Sequence, residues 1–113
     1  MNVEQFRDFC LSLQGVSEAM PFDKFAKGKL AILVFYVSGH MFCYFNIDDF
    51  TSVTIKGTPE RMNALKEHYA AVGEPFNGNK KYWMSVKVNA DVDDDLLRQL
   101  VEESYRLVRD KYK

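Results

Sequence analysis

Two neighbouring β-rich segments constrain the fold of this chain more than any other feature. Residues 30–37 and 40–47 consist mainly of β-branched, aromatic and other apolar side chains. Only Ser38 and Gly39 separate them, and glycine readily adopts the positive φ that a two-residue hairpin turn requires. The sequence therefore predicts an antiparallel β-hairpin across this region.

Both faces of the predicted hairpin are apolar. The simplest register pairs Val37 with His40 and Phe35 with Phe42, and the side chains alternate between the two faces. One predicted face carries Leu33, Phe35, Val37, His40, Phe42 and Tyr44. The other carries Ile32, Val34, Tyr36, Met41, Cys43 and Phe45. A helix layer covers only one face, so the second must be buried by another part of the chain or by a partner, or stay partly open.

Three stretches predict helices. Apolar residues at helical spacing predict a first helix over residues 3–13 and a last helix that follows Asp95. Thr58 and Pro59 are typical of a helix start, and the apolar stripe of this middle helix continues to Val72. The stripe of the last helix comprises Leu96, Leu97, Leu100, Val101, Ser104, Leu107 and Val108.

Strand signals lie between the helices. Alternating side chains predict strands over residues 50–56 and 82–88, the first of them with one solvated face. A chain of 113 residues forms one domain, which we expect to span residues 1–113. The order of elements predicts an α+β fold with a mainly antiparallel sheet and with N-terminal and C-terminal helices.

Charge and hydropathy limit the kinds of partner. The chain has 15 Lys and Arg against 16 Asp and Glu, a net charge of −1, so binding to nucleic acid would depend on a local patch. Residues 30–37 form the longest mainly apolar stretch, far below the ~20 residues of a membrane span. We expect no signal peptide and no membrane partner, reduced core thiols at Cys10 and Cys43, and a cytoplasmic location.

The sequence displays no convergent set of catalytic or metal-ligating residues. The two histidines, His40 and His68, lie far apart and outside any nucleophile motif. Carboxylates cluster between Asp91 and Asp95, where we expect them to cap the last helix rather than to hold a cation. Ser104 is expected to bond back to a carbonyl one turn earlier. We therefore expect no enzyme activity, no cofactor and no metal.

One segment combines a polar turn, positive charge and aromatic rings. Its ammonium groups can hold phosphate, while a ring stacks or wedges against a base. In the alternative interpretation the lysines are merely solvated and Trp83 packs into the core. The candidate nucleic-acid-binding residues are Lys56, Asn79, Lys80, Lys81, Tyr82 and Trp83. Further lysines that could join them are Lys24, Lys27 and Lys29.

At this segment the chain resembles the bacterial MmcQ/YjbR family, and the likeness runs nearly end to end. The shared motifs are Leu11-Ser12-Leu13-Gln14-Gly15-Val16, Met20-Pro21-Phe22, Gly39-His40-Met41-Phe42, Lys56 with Thr58-Pro59-Glu60, Asn79-Lys80-Lys81-Tyr82-Trp83, and Ser104-Tyr105 with Val108. The resemblance implies a frataxin-like α+β fold, with helices on one face of an antiparallel sheet. It also implies a DNA-binding module with a double-wing arrangement.

These observations lead to two hypotheses of function. In the first, the chain is a non-enzymatic module that binds double-stranded DNA, with lysines on phosphates and Tyr82 or Trp83 as a flat apolar contact. In the alternative, the chain is a protein-interaction or homodimerisation module that uses the apolar hairpin as its contact surface.

Overall fold

The computed structural model describes residues 1–21, 31–75 and 78–113. Within these residues lie three helices and six strands. The helices are α1 (Val3–Ser12), α2 (Pro59–His68) and α3 (Asp94–Lys111). The strands are β1 (Ser17–Ala19), β2 (Ile32–Val37), β3 (His40–Asn46), β4 (Ser52–Lys56), β5 (Val72–Gly73) and β6 (Trp83–Lys87). Lys24, Lys27 and Lys29 lie outside the described residues.

The strands form one antiparallel sheet in the order β1-β2-β3-β4-β6-β5. The large core joins all three helices to one face of this sheet. The predicted α+β class, with N-terminal and C-terminal helices packed on one face, is therefore confirmed.

Local capping signals define where the helices begin. Asn2 and Gln5 form a reciprocal capping box at the start of α1, and the Thr58 side chain accepts the Arg61 N–H of α2. Helix α2 ends at His68, so the predicted continuation of its stripe is wrong, and Val72 instead belongs to β5. Among the described helices, none is long and apolar enough to cross a membrane.

The hairpin contains a bulge that the simplest register misses. Val37 pairs with His40 as predicted, but Phe35 pairs with Cys43 rather than with Phe42. Phe42 is the extra residue, so both Phe42 and Cys43 lie in the helix-covered core. From Cys43 to Phe45 the assignment to faces is therefore reversed, and Tyr44 lies on the opposite face. The turn itself is confirmed, with positive φ at both of its central residues.

The face opposite the helices carries a second, smaller apolar cluster. Its buried members are Ile32, Val34, Tyr44 and Trp83, each no more than 9% exposed, with Tyr36 packed against them. The chain itself therefore buries these residues of the second hairpin face, so neither a partner nor partial exposure is needed to explain them. Thr54 lies on the same side of the sheet and is also buried, so the prediction of a solvated face for β4 is wrong at this position.

Most of the predicted apolar stripe of α3 is buried in the helix-covered core, which confirms that part of the prediction. Leu97, Leu100, Val101, Ser104 and Val108 are buried, whereas Leu107 is exposed, contrary to prediction. Cys10 and Cys43 are free, buried thiols of the same core, as predicted. Burial, reinforced by a hydrogen bond with Cys10, raises the pKa of the Cys43 thiol well above its usual value. Cys43 is therefore a protonated, unreactive thiol at neutral pH.

Candidate nucleic-acid interface

Hydrogen bonds hold the turn before β6 in one shape. The Asn79 carbonyl accepts the Tyr82 and Trp83 N–H groups at 3.1 and 3.0 Å, and its side-chain oxygen accepts the Lys81 N–H at 3.0 Å. The Tyr82 carbonyl accepts the Gly57 N–H at 2.9 Å, which ties the turn to the end of β4. Lys80, Lys81 and Tyr82 are all exposed on this turn.

The two aromatic residues of the turn lie in different environments. Trp83 is only 9% exposed and packs against Tyr44, with ring centroids 5.5 Å apart. The backbone of Gly78 approaches the same rings, because a Cβ at that position would lie 3.1 Å from the Tyr44 hydroxyl oxygen. Tyr82 is 42% exposed, with Lys81 Nζ 5.4 Å from its ring centroid. Of the two rings, Tyr82 is therefore the one that a ligand can reach.

Lys56 is placed above Trp83 by the sheet. The two residues pair across β4 and β6, and Lys56 Nζ lies 5.4 Å from the Trp83 ring centroid. A lysine ammonium over a tryptophan face is attracted by the ring quadrupole. This cation–π contact thus favours a position of the Lys56 ammonium over the buried ring.

Ser104 anchors the backbone beneath this lysine. Its hydroxyl donates to the Phe42 carbonyl at 2.6 Å and accepts the Lys56 N–H at 2.8 Å. The predicted bond to a carbonyl one turn earlier is therefore wrong, although the role is structural. The paired residues of β3 and β4 extend only to Cys43 and Ile55. The helix side chain satisfies the carbonyl and the N–H of the next residue on each of these strands.

A cavity brings a further lysine to the predicted site. It has a volume of about 320 Å³ and is lined by Lys56, Tyr82, Leu107, Val108 and Lys111. Sequence reasoning missed Lys111 and Leu107, whose only local signal is their place in the last turns of α3. We call four lysines the lysine patch: Lys56 and Lys111, which line this cavity with Tyr82, Lys81, whose ammonium lies near the Tyr82 ring, and Lys80, which precedes Lys81 on the exposed turn.

The arginines and lysines of the chain are used differently. All five arginines form an ion pair with a carboxylate. In contrast, no lysine in the described ranges has a carboxylate oxygen within 4.0 Å of its ammonium. The four ammonium groups of the lysine patch are therefore available to an external anion.

A second cavity adjoins the first but carries acids. Its volume is about 370 Å³, and it shares Lys56 and Leu107 with the smaller cavity. Arg61 binds Glu103 there through two contacts of 3.1 and 3.2 Å. Asp110 also lines this cavity, and its hydrogen bond from Arg109 holds the pKa of the carboxyl below its usual value. The residues that line this cavity, Arg106 among them, carry both signs of charge, whereas the charged residues that line the smaller cavity are both lysines. The smaller cavity therefore suits a polyanion better.

The aspartates before α3 serve the backbone. Asp93 accepts the Leu96 N–H at 2.8 Å, which confirms the predicted capping of the helix. Asp91 instead accepts the N–H groups of Ala70 and Ala71 at 2.7 and 2.8 Å. Within the part of the chain that the structure describes, no group of three or more His, Cys, Asp or Glu could hold a metal ion.

The fold and the lysine patch define a small α+β domain with an exposed basic and aromatic surface. The model of the YjbR family matches residues 11–107, so the chain belongs to the YjbR family, and the resemblance seen in the sequence is confirmed.

Similar proteins agree with this assignment. Protein DR2400 of Deinococcus radiodurans, which has a DUF419 domain, matches with a TM-score of 0.83 and 29% identity, over 97% of this chain and 80% of that chain. A crystal structure of a Pseudomonas syringae protein matches with a TM-score of 0.77 and 22% identity, over 96% of this chain and 100% of that chain, and supports the fold alone. The Uncharacterized protein YbdF of Escherichia coli O157:H7 is 29% identical over 58 residues, 51% of this chain and 48% of that protein. The chain thus aligns with about half the length of this curated relative.

Proposed function

We propose that the chain is a non-enzymatic DNA-binding module, in which the lysine patch contacts backbone phosphates of double-stranded DNA. The observation that carries the proposal is the difference between the two cation types. The arginines are each paired with a carboxylate, whereas the four lysines of the patch have none within 4.0 Å among the described residues. A cytoplasmic location is part of this proposal.

Each part of the patch has a distinct role in this proposal. Lysine ammonium groups act as point charges on phosphate, and the exposed Tyr82 ring supplies a flat apolar contact. Trp83 is not a DNA contact but packs beneath the ammonium of Lys56. With four lysines, the slope of log K against log salt is at most about −3.6 for duplex DNA. We expect salt-sensitive binding with little sequence preference.

The test is a titration of labelled duplex DNA, followed by anisotropy at several salt concentrations. The double variant Lys80→Ala/Lys81→Ala should flatten the salt slope by about 1.8, because each phosphate contact contributes about 0.9. The matched control is Lys66→Ala/Lys87→Ala, which removes the same charge outside the patch. Lys87 lies at the end of β6 remote from Trp83, opposite Ser52. The control should keep the slope of the unmodified chain.

Two outcomes would overturn the proposal. An unchanged slope in the patch variant would remove Lys80 and Lys81 from the phosphate contacts. Absence of binding at low salt, where the attraction is strongest, would favour the interaction or homodimerisation module, to be examined by sedimentation. That alternative is the weaker candidate, because Ile32, Val34 and Tyr44 are buried within one chain and offer a partner little apolar hairpin surface.

A further inference from the structure

We propose that the cavity between Tyr82 and Leu107 takes one unpaired base, so that the chain prefers DNA with a single-stranded segment to fully paired DNA. This inference rests on the proposed function, and it adds the kind of DNA that the same patch recognises.

The chain leaves apolar surface uncovered in the cavity. Tyr82 is 42% exposed and Leu107 is 40% exposed, and both line the same space of about 320 Å³. Volumes of about 300 Å³ and more are typical of sites for small molecules. The cavity is therefore large enough for a flat ring, and its walls are an aromatic and an aliphatic side chain.

Positive charge borders these apolar walls. Lys56 and Lys111 line the cavity, and Lys81 Nζ lies 5.4 Å from the Tyr82 ring. A nucleotide has the complementary layout, with an aromatic base and flanking negative phosphates. Aromatic side chains bordered by positive charge are the usual means of binding single strands without sequence preference.

Single-stranded and paired DNA differ in what can enter the cavity. In a duplex the faces of the bases are stacked inside and cannot enter the cavity, so a duplex would engage the lysines and Tyr82 without a base stacked in the cavity. An unpaired base would add a stacking contact to the same phosphate contacts. Since stacking on an aromatic side chain contributes about 1–3 kcal/mol, we expect affinity to rise roughly 5- to 150-fold.

The experiment compares three labelled DNAs by anisotropy at each of several salt concentrations. They are a blunt duplex, the same duplex with a short thymine overhang, and the same duplex with an overhang of abasic nucleotides. The thymine overhang should bind most tightly. The abasic overhang carries equal phosphate charge without bases, so it should lose the gain.

Variants assign this preference to the cavity. Tyr82→Ala and Leu107→Ala should each reduce the preference for thymine over abasic overhangs while leaving the salt slope unchanged, and Tyr82→Phe should retain it. The matched control is Leu11→Ala, because Leu11 is a similarly exposed leucine on α1. Thermal melting of each variant verifies that it folds.

The outcomes distinguish the inference from the function on which it rests. Equal affinity for all three DNAs, with a salt slope that the lysine variant flattens, would overturn the inference and leave phosphate binding intact. Equal affinity for thymine and abasic overhangs would overturn it in the same way. Absence of binding to any of the DNAs at low salt would overturn both proposals.

Discussion

The two ends of α3 carry clusters of opposite charge, and the fold uses them in different ways. At the N-terminal end, Asp93 caps the helix and Asp91 binds two backbone N–H groups. Asp94 lies 3.4 Å from the N-terminal amine, and Asp95 pairs with Arg98 at 2.9 Å. At the C-terminal end, Lys111 lines a cavity with Lys56 and with Tyr82, which belongs to the turn that carries Lys80 and Lys81. None of these four lysines has a carboxylate within 4.0 Å among the described residues.

The two clusters therefore differ in whether an external ligand can bind them. The positive end of a helix dipole favours carboxylates and the negative end favours lysine, so both clusters agree with the helix dipole. Each of these aspartates has a partner within the chain, either a backbone N–H group or a cation. Among the described residues, the four lysines of the patch have no carboxylate partner, and like charges that cluster in this way repel one another unless an anion binds them.

The largest loss of stability is expected when the Trp83 ring, which lies beneath Lys56, is removed. Trp83→Ala should lower the free energy of unfolding by about 3–5 kcal/mol, because the buried ring leaves a cavity beside Tyr44. Urea unfolding followed by circular dichroism measures the loss, and Trp83→Phe should restore much of it. A loss below about 1 kcal/mol would mean that Trp83 contributes little to the second apolar cluster.

An intermediate loss of stability is expected when Asp91, which connects two segments of the chain, is replaced. Asp91→Ala should lower the free energy of unfolding by about 1.5–3 kcal/mol, because the N–H groups of Ala70 and Ala71 lose a charged acceptor. The control is Asp95→Ala, which removes an exposed charge and should cost less than about 1 kcal/mol. Equal losses in the two variants would contradict the special role of Asp91.

The smallest effect is expected from the lysines themselves. Lys80→Ala/Lys81→Ala should change the free energy of unfolding by no more than about 0.5 kcal/mol, because both side chains are exposed and make no ion pair with described residues. Urea unfolding of this variant beside Asp91→Ala tests the contrast directly. A loss as large as that of Asp91→Ala would show that the lysines stabilise the fold and would remove the distinction between the clusters.

Elements with a local cause were predictable. The start of α2 at Pro59 follows from the Thr58 cap, and the hairpin turn follows from the positive φ that Gly39 can adopt. The lysines and rings of residues 79–83 were also visible as a candidate site, because they are contiguous.

Features that depend on packing were not predictable in the same way. The extra residue at Phe42 shifts the register by one, and no local signal marks it. The exposure of Tyr82 against the burial of Trp83 depends on which face of the sheet each side chain meets.

Interactions between residues close in the chain account for the three helices, the strands β2, β3, β4 and β6, the caps and the basic turn, because periodicity and capping act over short separations. The sequence did not reveal β1 and β5. The tertiary structure alone brings the Ser104 hydroxyl to the Phe42 carbonyl and the Lys56 N–H, and it places Lys111 beside Tyr82. These contacts join residues far apart in sequence, and they arise when α3 buries its apolar stripe against the sheet. The same packing leaves Leu107 exposed in the cavity beside Tyr82.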